Sequence, residues 1–243
     1  VRSENDFNLG VVETKTLTSD TWILEKDTQD ILNVLSAKTD SLLDVLGDKT
    51  IENGIQTSAN TVYIHKPTGE NDQYIFFEYK GVGYQVEKEL TRPYFQTGRG
   101  ADSLYTYRNL IPNAFVIYPY RKIEERVVLV DYDELENNYP YLFNFLNVIR
   151  DKLDNDKRDI KPEPRTANEW YRYGRSQSLE NCDVPMKLVV GVLSNGYKYS
   201  IDTKSTFISS GGTAGYCPIN VPADCQYSIY YIQALLSSRY LEW

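Results

Sequence analysis

Histidine is almost missing from this chain: His65 is the single one among 243 residues. A Ser-His-Asp or Cys-His catalytic system would have to be built on it. It sits in "YIHKP", at a strand end, where an ordinary surface histidine is expected. Cysteine is limited to Cys182, Cys217 and Cys225, an odd count with no CxxC spacing. Without histidine partners these do not make a zinc set, so reduced, idle thiols of a cytoplasmic protein are expected, with a Cys217–Cys225 disulfide as the alternative. No apolar run approaches the roughly 20 residues that span a bilayer. The opening "VRSENDFNLG" has neither a signal pattern nor an initiator methionine, and a piece of a longer protein is expected. There is no internal repeat and no low-complexity segment.

Nucleotide and cofactor chemistry is poorly provided for. The glycine-bearing stretches "GRGAD" (98–102) and "GGTAG" (211–215) do not join a strand to a helix as a phosphate cradle requires, and GxSxG is absent. One catalytic pattern stands out. Asp72 followed by Glu78-Tyr79-Lys80 resembles the acid…Glu-x-Lys set of Mg²⁺-dependent nucleases, with Glu78 and Lys80 expected on one side of a strand. Against it, Asp72 lies on what reads as the same strand, whereas carboxylates that share an ion converge from separate elements. The remaining acids, including Glu87, Glu89, Glu124, Glu125, Asp131, Asp133 and Glu134, read as a solvated surface and contribute to the net charge of −8.

What the chain has in plenty is tyrosine, 21 of them against 8 phenylalanines. Tyrosine packs a ring and pairs a hydroxyl, which suits half-buried surfaces and interfaces; a β-rich composition explains it equally well. Hydrophobic periodicity gives two short helices within 27–47, interrupted at Asp40-Ser41 and ending at Gly47. Asn53-Gly54 reads as a turn, and the following "NTVYIHK" alternates like a strand. A hairpin over 73–90 turns at Gly81-Val82-Gly83. Strands follow at 113–120 and 125–132, then a helix over 139–156 behind Tyr139-Pro140. A polar, proline-bearing loop covers 157–166. Three β runs follow, with Asn195-Gly196 as hairpin turn and Gly211-Gly212 as a break, and a last helix lies within 227–243. The fold class is α+β, with β-rich mixed sheets and several packed helices. Residues 1–26 read as a connector from a preceding domain and 27–243 as one domain, with two lobes divided near 135–165 as an option.

The stretch "NEWYRYGRSQSLE" (168–180) sets aromatic rings beside guanidinium groups. Residues 145–175 also carry Arg150, Lys152, Lys157, Arg158, Lys161 and Arg165, with acids interleaved, so the local field is weak. Arginine can take a guanine edge or a phosphate in bidentate fashion, and tyrosine can stack or bond a phosphate. The alternative is that Trp170 and Tyr173 belong to the core while the arginines pair with neighbouring acids.

In order along the chain, "NGIQTSANTVYI", "KELTRPYF…GRG", "NAFVIYPY", "PYLFNFLNVIRDKLDND", "NEWYRYGRSQSLE", "STFISSGGTAGY" and "IYYIQALLSSRYLEW" resemble the C-terminal target recognition domain of TaqI-like DNA adenine-N6 methyltransferases. The same domain occurs in single-chain type IIG restriction-modification enzymes. The resemblance runs from about Trp22 to Trp243. Ser58 stands where those proteins usually have glycine, and Ser237 where they have asparagine. It implies a non-catalytic domain that reads the major groove of double-stranded DNA beside a methyltransferase domain of the same parent chain. The Asn-Pro-Pro-aromatic loop and the S-adenosylmethionine-binding turn of that catalytic domain do not occur here, so no cofactor is expected in this chain. Carried onto this sequence, the implied DNA contacts are Gln56, Thr57, Asn60, Arg92, Arg99, Arg172, Arg175 and Gln177, with Trp170 and Gly174 as scaffold. A metal-dependent nuclease on Asp72, Glu78 and Lys80, and a protein-interaction domain using the tyrosine-rich surface, are the competing readings.

Overall fold

A computed structural model describes residues 34, 37, 39–47, 50–51, 53–96, 109–124, 126–154, 168–176, 178–180, 182–191, 199–210 and 216–238. The chain divides into two compact units, Val1–Asp48 and Lys49–Trp243. In the first, helix α1 (Leu42–Leu46) starts at a reciprocal capping box. Ser41 Oγ accepts from Asp44 N, and the Asp44 carboxylate accepts from Ser41 N. Gly47 ends it at φ 83°, a left-handed value that glycine tolerates best. The expected interruption at Ser41 is thus a helix start. The expected 1–26 connector lies outside the described residues.

In the second unit, α2 (Asn60–Tyr63) runs into β1 (Ile64–His65). The stretch read as a single strand therefore begins as a helical turn. Strands β2 (Pro67–Glu70), β3 (Tyr74–Tyr79) and β4 (Val82–Glu87) form an antiparallel sheet. Lys80 and Gly81, at φ 53° and 78°, make the two-residue β3–β4 turn, so it falls one residue before the expected glycine pair. Next come β5 (Thr91–Phe95), β6 (Ala114–Ile117) and a hairpin of β7 (Tyr120–Ile123) with β8 (Arg126–Leu129). Helices α3 (Tyr132–Asn138), α4 (Pro140–Val148) and α5 (Arg150–Leu153) follow. The predicted 139–156 helix is broken at Ile149 (φ −111°, ψ 13°). Helix α3 was unforeseen; its signal was Asp131, whose side chain caps Asp133 N, followed by acids in the first turn.

Strands β9 (Lys187–Gly191), β10 (Tyr199–Asp202), β11 (Phe207–Ile208) and β12 (Tyr216–Ile219), and helix α6 (Ile229–Leu236), complete the described elements. The sheets run β1-β6-β5-β11, with β11 parallel to β5, and β10-β9-β12, all antiparallel. The architecture is α+β. The Asn195-Gly196 and Gly211-Gly212 turns and the 157–166 loop lie outside the described residues.

Two residues read as surface groups are buried instead. Glu87, at the end of β4, accepts from Tyr141 N and Leu142 N, so its carboxylate answers orphan amides at the start of α4. His65 sits among Phe77, Tyr79, Phe115 and Phe145, its ring centre 4.4 Å from that of Phe77, and its Nε2 lies 2.7 Å from Val62 O. The fully buried Lys187–Asp202 pair (2.7 Å) joins β9 to β10; Asp202 also accepts from Thr206 N and Oγ1 and from Lys204 N, which shapes the approach to β11. All three cysteines are free, and burial pushes the Cys182 thiol up to about 11, which leaves it inert at neutral pH.

Burial lowers the His65 pKa below its ordinary 6.5, with the Val62 carbonyl opposing in part. Once the pH drops below about 6.5, the unfolded chain takes up a proton that the folded ring refuses. The stability associated with His65 is therefore present above that value and declines below it. Urea unfolding midpoints should fall between about pH 7.5 and pH 5.5, and a His65→Gln variant should show a flatter dependence over that window. Equal slopes would contradict this account of the ring.

Candidate nucleic-acid interface

Three tracts far apart in sequence meet in the backbone. Ile55 N donates to Ile208 O and Ser210 N donates to Ile55 O, both at 2.8 Å. Gly174 N donates to Thr57 O at 2.9 Å, and Arg175 N donates to Gln56 O at 3.1 Å. The approach at Gly54 leaves no room for a side chain: a Cβ there would sit 2.3 Å from Ile208 O. Gly54 is therefore a close-packing glycine, and the turn expected at Asn53-Gly54 is instead the start of this junction.

The 168–180 tract has no helix or strand among its described residues. Trp170, Tyr171 and Tyr173 are buried to 1% exposure or less. Buried irregular backbone must still have its polar groups paired. Tyrosine hydroxyls do much of this: Tyr63 donates to Tyr171 O (2.7 Å), Tyr171 to Val130 O (2.6 Å), Tyr173 to Ile117 O, and Tyr118 to Leu179 O (3.3 Å). Tyr173 N in turn donates to Tyr120 Oη at 2.6 Å. The rings of Tyr63, Tyr118 and Tyr120 surround that of Tyr173 at 4.9 to 6.3 Å, in edge-to-face contacts. Burial, followed by neighbouring Tyr120, raises the Tyr173 pKa well above 10, so its hydroxyl stays a donor.

The 56–60 turn is organised by Thr57, which is itself buried. Its Oγ1 accepts from Ala59 N (3.0 Å) and donates to Asn60 Oδ1 (2.6 Å). Ser58 lies at φ 56°, in the left-handed region. A glycine would hold that conformation without strain. Ser237, by contrast, ends α6 at φ −93° and makes no such demand.

The implied contacts separate by position. Gln56 and Arg175 are half-buried, and Asn60 and Ser176 are exposed at the same junction. Thr57 is turned inward. Arg92 is spent on the fold: its Nη1 donates to Glu89 O (2.9 Å) and Thr91 O (2.8 Å), its Nε lies 3.4 Å from Asp183 Oδ2, and its guanidinium lies 4.9 Å from the Tyr118 ring centre. The Arg172 side chain is 15% exposed and lies 3.4 Å from Glu169 Oε2. Arg99 and Gln177 lie outside the described residues. Ser176, Ser209 and Ser210, all at least partly accessible, share this junction, and no local signal marks them.

The nuclease constellation does not assemble. Lys80 is in the turn, not on the strand, and β3 carries the exposed Glu78 roughly 13 Å beyond Tyr74, away from Asp72. No group of three acidic, histidine or cysteine side chains suited to a metal ion occurs among the described residues. No helix among them is long and apolar enough to cross a membrane.

No family model matches this chain. It is 58% identical, over 232 residues and 95% of its length, to the type II restriction enzyme and methyltransferase RM.Eco57I of Escherichia coli. The chain is a relative of part of a restriction-modification enzyme. It spans 23% of the length of that protein.

Two substitutions test the junction. Ser58→Gly removes a left-handed strain but adds chain entropy, and should stabilise the protein by roughly 0.5–1 kcal/mol. Gly54→Ala forces backbone apart and should destabilise it by about 2 kcal/mol or more. Urea unfolding midpoints that move in these opposite directions are the expected outcome; a neutral Gly54→Ala would refute the close approach.

Proposed function

We propose that this chain is the duplex-DNA sequence-recognition module of a TaqI-like, type IIG restriction-modification enzyme that methylates adenine at N6. It does not catalyse by itself. The observation that carries the reading is the backbone junction of residues 56–57 with 174–175, which sets Gln56, Arg175 and Asn60 on one accessible edge over a rigid aromatic core. The chemistry fits base reading. Glutamine and asparagine match the N6/N7 edge of adenine, and arginine the O6/N7 edge of guanine, each in bidentate fashion. A rim anchored by buried tyrosine hydroxyls is preorganised, so little ordering remains when DNA binds. Thr57, Arg92 and Arg172 serve as positioning residues behind that rim. Similarity to a restriction enzyme and methyltransferase supports the same reading.

S-adenosylmethionine is assigned to another domain of the same polypeptide, since this sequence has no glycine turn to hold it. Methyl transfer to an extruded adenine would take place there, in the cytoplasm. The net charge of −8 implies that most phosphate contacts also come from elsewhere in that polypeptide.

The test is binding of the complete polypeptide to its recognition duplex, identified by mapping methylated adenines in a host carrying the gene. Gln56→Ala and Arg175→Ala should each cost about 1–3 kcal/mol, roughly tenfold to a hundredfold in affinity, and relax specificity at one base pair, with unfolding midpoints unchanged. Wild-type affinity and specificity in both variants would defeat the proposal.

A further inference from the structure

Helix α6 has one buried face and one that faces solvent. Ile229, Ile232 and Gln233 are buried on the side packed against β9 and β10, where Gln233 Nε2 donates to Tyr199 O at 2.7 Å. The other side leaves Tyr230 60%, Tyr231 51% and Leu235 44% exposed, with Tyr227 at 36% just before the helix. The Tyr227 and Tyr231 rings stack at 4.9 Å with 18° between their planes. Tyr227, Tyr231 and Leu235 follow one another in four-residue steps and Tyr230 adjoins Tyr231 on the exposed side, and a groove lined by Met186, Pro222 and Cys225 continues the patch past Tyr227.

The patch has the chemistry of a protein interface. Between Gln226 and Ser238 the sequence holds no charged side chain, so nothing there can neutralise a phosphate. Exposed tyrosine and methionine with no charged side chain among them match the composition of interface centres. Its size then selects the kind of partner. Four side chains about half exposed offer on the order of 400 Å². A stable dimer of separate chains needs about 800 Å² per partner, whereas contacts between domains of one chain begin near 600 Å² in total. Linkage in one chain supplies an effective concentration on the order of millimolar, which makes a small patch sufficient. The related protein carries 77% of its length outside the matched part (100 − 23).

We infer that Tyr227, Tyr230, Tyr231 and Leu235 form the face on which another domain of the same restriction-modification polypeptide docks. This inference rests on reading the chain as one module of such a polypeptide. It adds the surface that fixes the reading edge relative to the rest of the enzyme.

Hydroxyl-radical labelling of the complete polypeptide, read by mass spectrometry, tests it. Tyr141, 43% exposed on α4, serves as the internal reference. Without DNA and at high dilution, Tyr230 and Tyr231 should be labelled several-fold more slowly than Tyr141. Labelling as fast as Tyr141 would overturn the inference. Protection that appears only when DNA is added would make the patch a DNA face, and protection that grows with protein concentration would make it a contact between copies; either result overturns it too. Sequence-specific binding by the same preparation is scored separately. Binding with unprotected tyrosines removes only the docking face, and protection without specific binding removes only the recognition reading.

Discussion

A buried stretch of chain without helix or strand must find a partner for every amide and carbonyl, and in this protein tyrosine hydroxyls provide many of them. The four hydroxyl-to-carbonyl bonds made by Tyr63, Tyr118, Tyr171 and Tyr173 join the 168–180 tract to three parts of the fold, at residues 63, 117–118 and 130. A phenylalanine at any of these positions would fill the same space and leave a carbonyl unanswered, at about 1–3 kcal/mol each. Tyrosine thus serves the core as well as the surface, with eight of the described tyrosines buried. The accessible edge at Gln56, Asn60 and Arg175 depends on it, because the backbone of that edge is bonded to the stapled tract.

Under the proposed function, this arrangement separates the work of holding from the work of reading. The aromatic residues that first suggested a stacking surface for nucleic acid are interior. All three described arginines of these tracts have partners: Arg92 and Arg172 pair within the fold, and Arg175 Nη1 lies 3.5 Å from Gly174 O at the half-buried junction. A rim of a few polar side chains can change without disturbing the tyrosines beneath it. Such a design suits a domain whose targets differ among relatives while its frame persists. An acidic chain is compatible with the proposed function, in which a few well-placed groups would read bases and cations elsewhere would carry the phosphates.

Periodicity located most elements: the β3–β4 hairpin, the helical run after Pro140 and the start of α1 were legible in spacing and caps. Features set by distant contacts were not. Nothing local to His65 or Glu87 announces burial; each is defined by what a different element brings to it. Gly54 reads as a turn residue until β11 is seen against it. Helix α3 was hidden among acids taken as surface. At the candidate site, the ordered motifs named three tracts that the backbone brings together. Which side chains turn inward was decided by packing, as with Thr57, whose hydroxyl organises its own turn. Ser58 was noted only as standing where glycine is usual; that its backbone is left-handed came from the structure.

The central claim is that the edge formed by the 56–60 and 174–176 backbones faces DNA bases. Photo-crosslinking from a reactive residue placed at Gln56 or Arg175, in the complete polypeptide bound to its recognition duplex, tests it most directly, with Glu78 on β3 as the control position. Crosslinks to bases within the recognition sequence from the first two positions, and none from the third, are predicted. A sequence-specific complex that yields no DNA crosslink from either Gln56 or Arg175 would contradict the account.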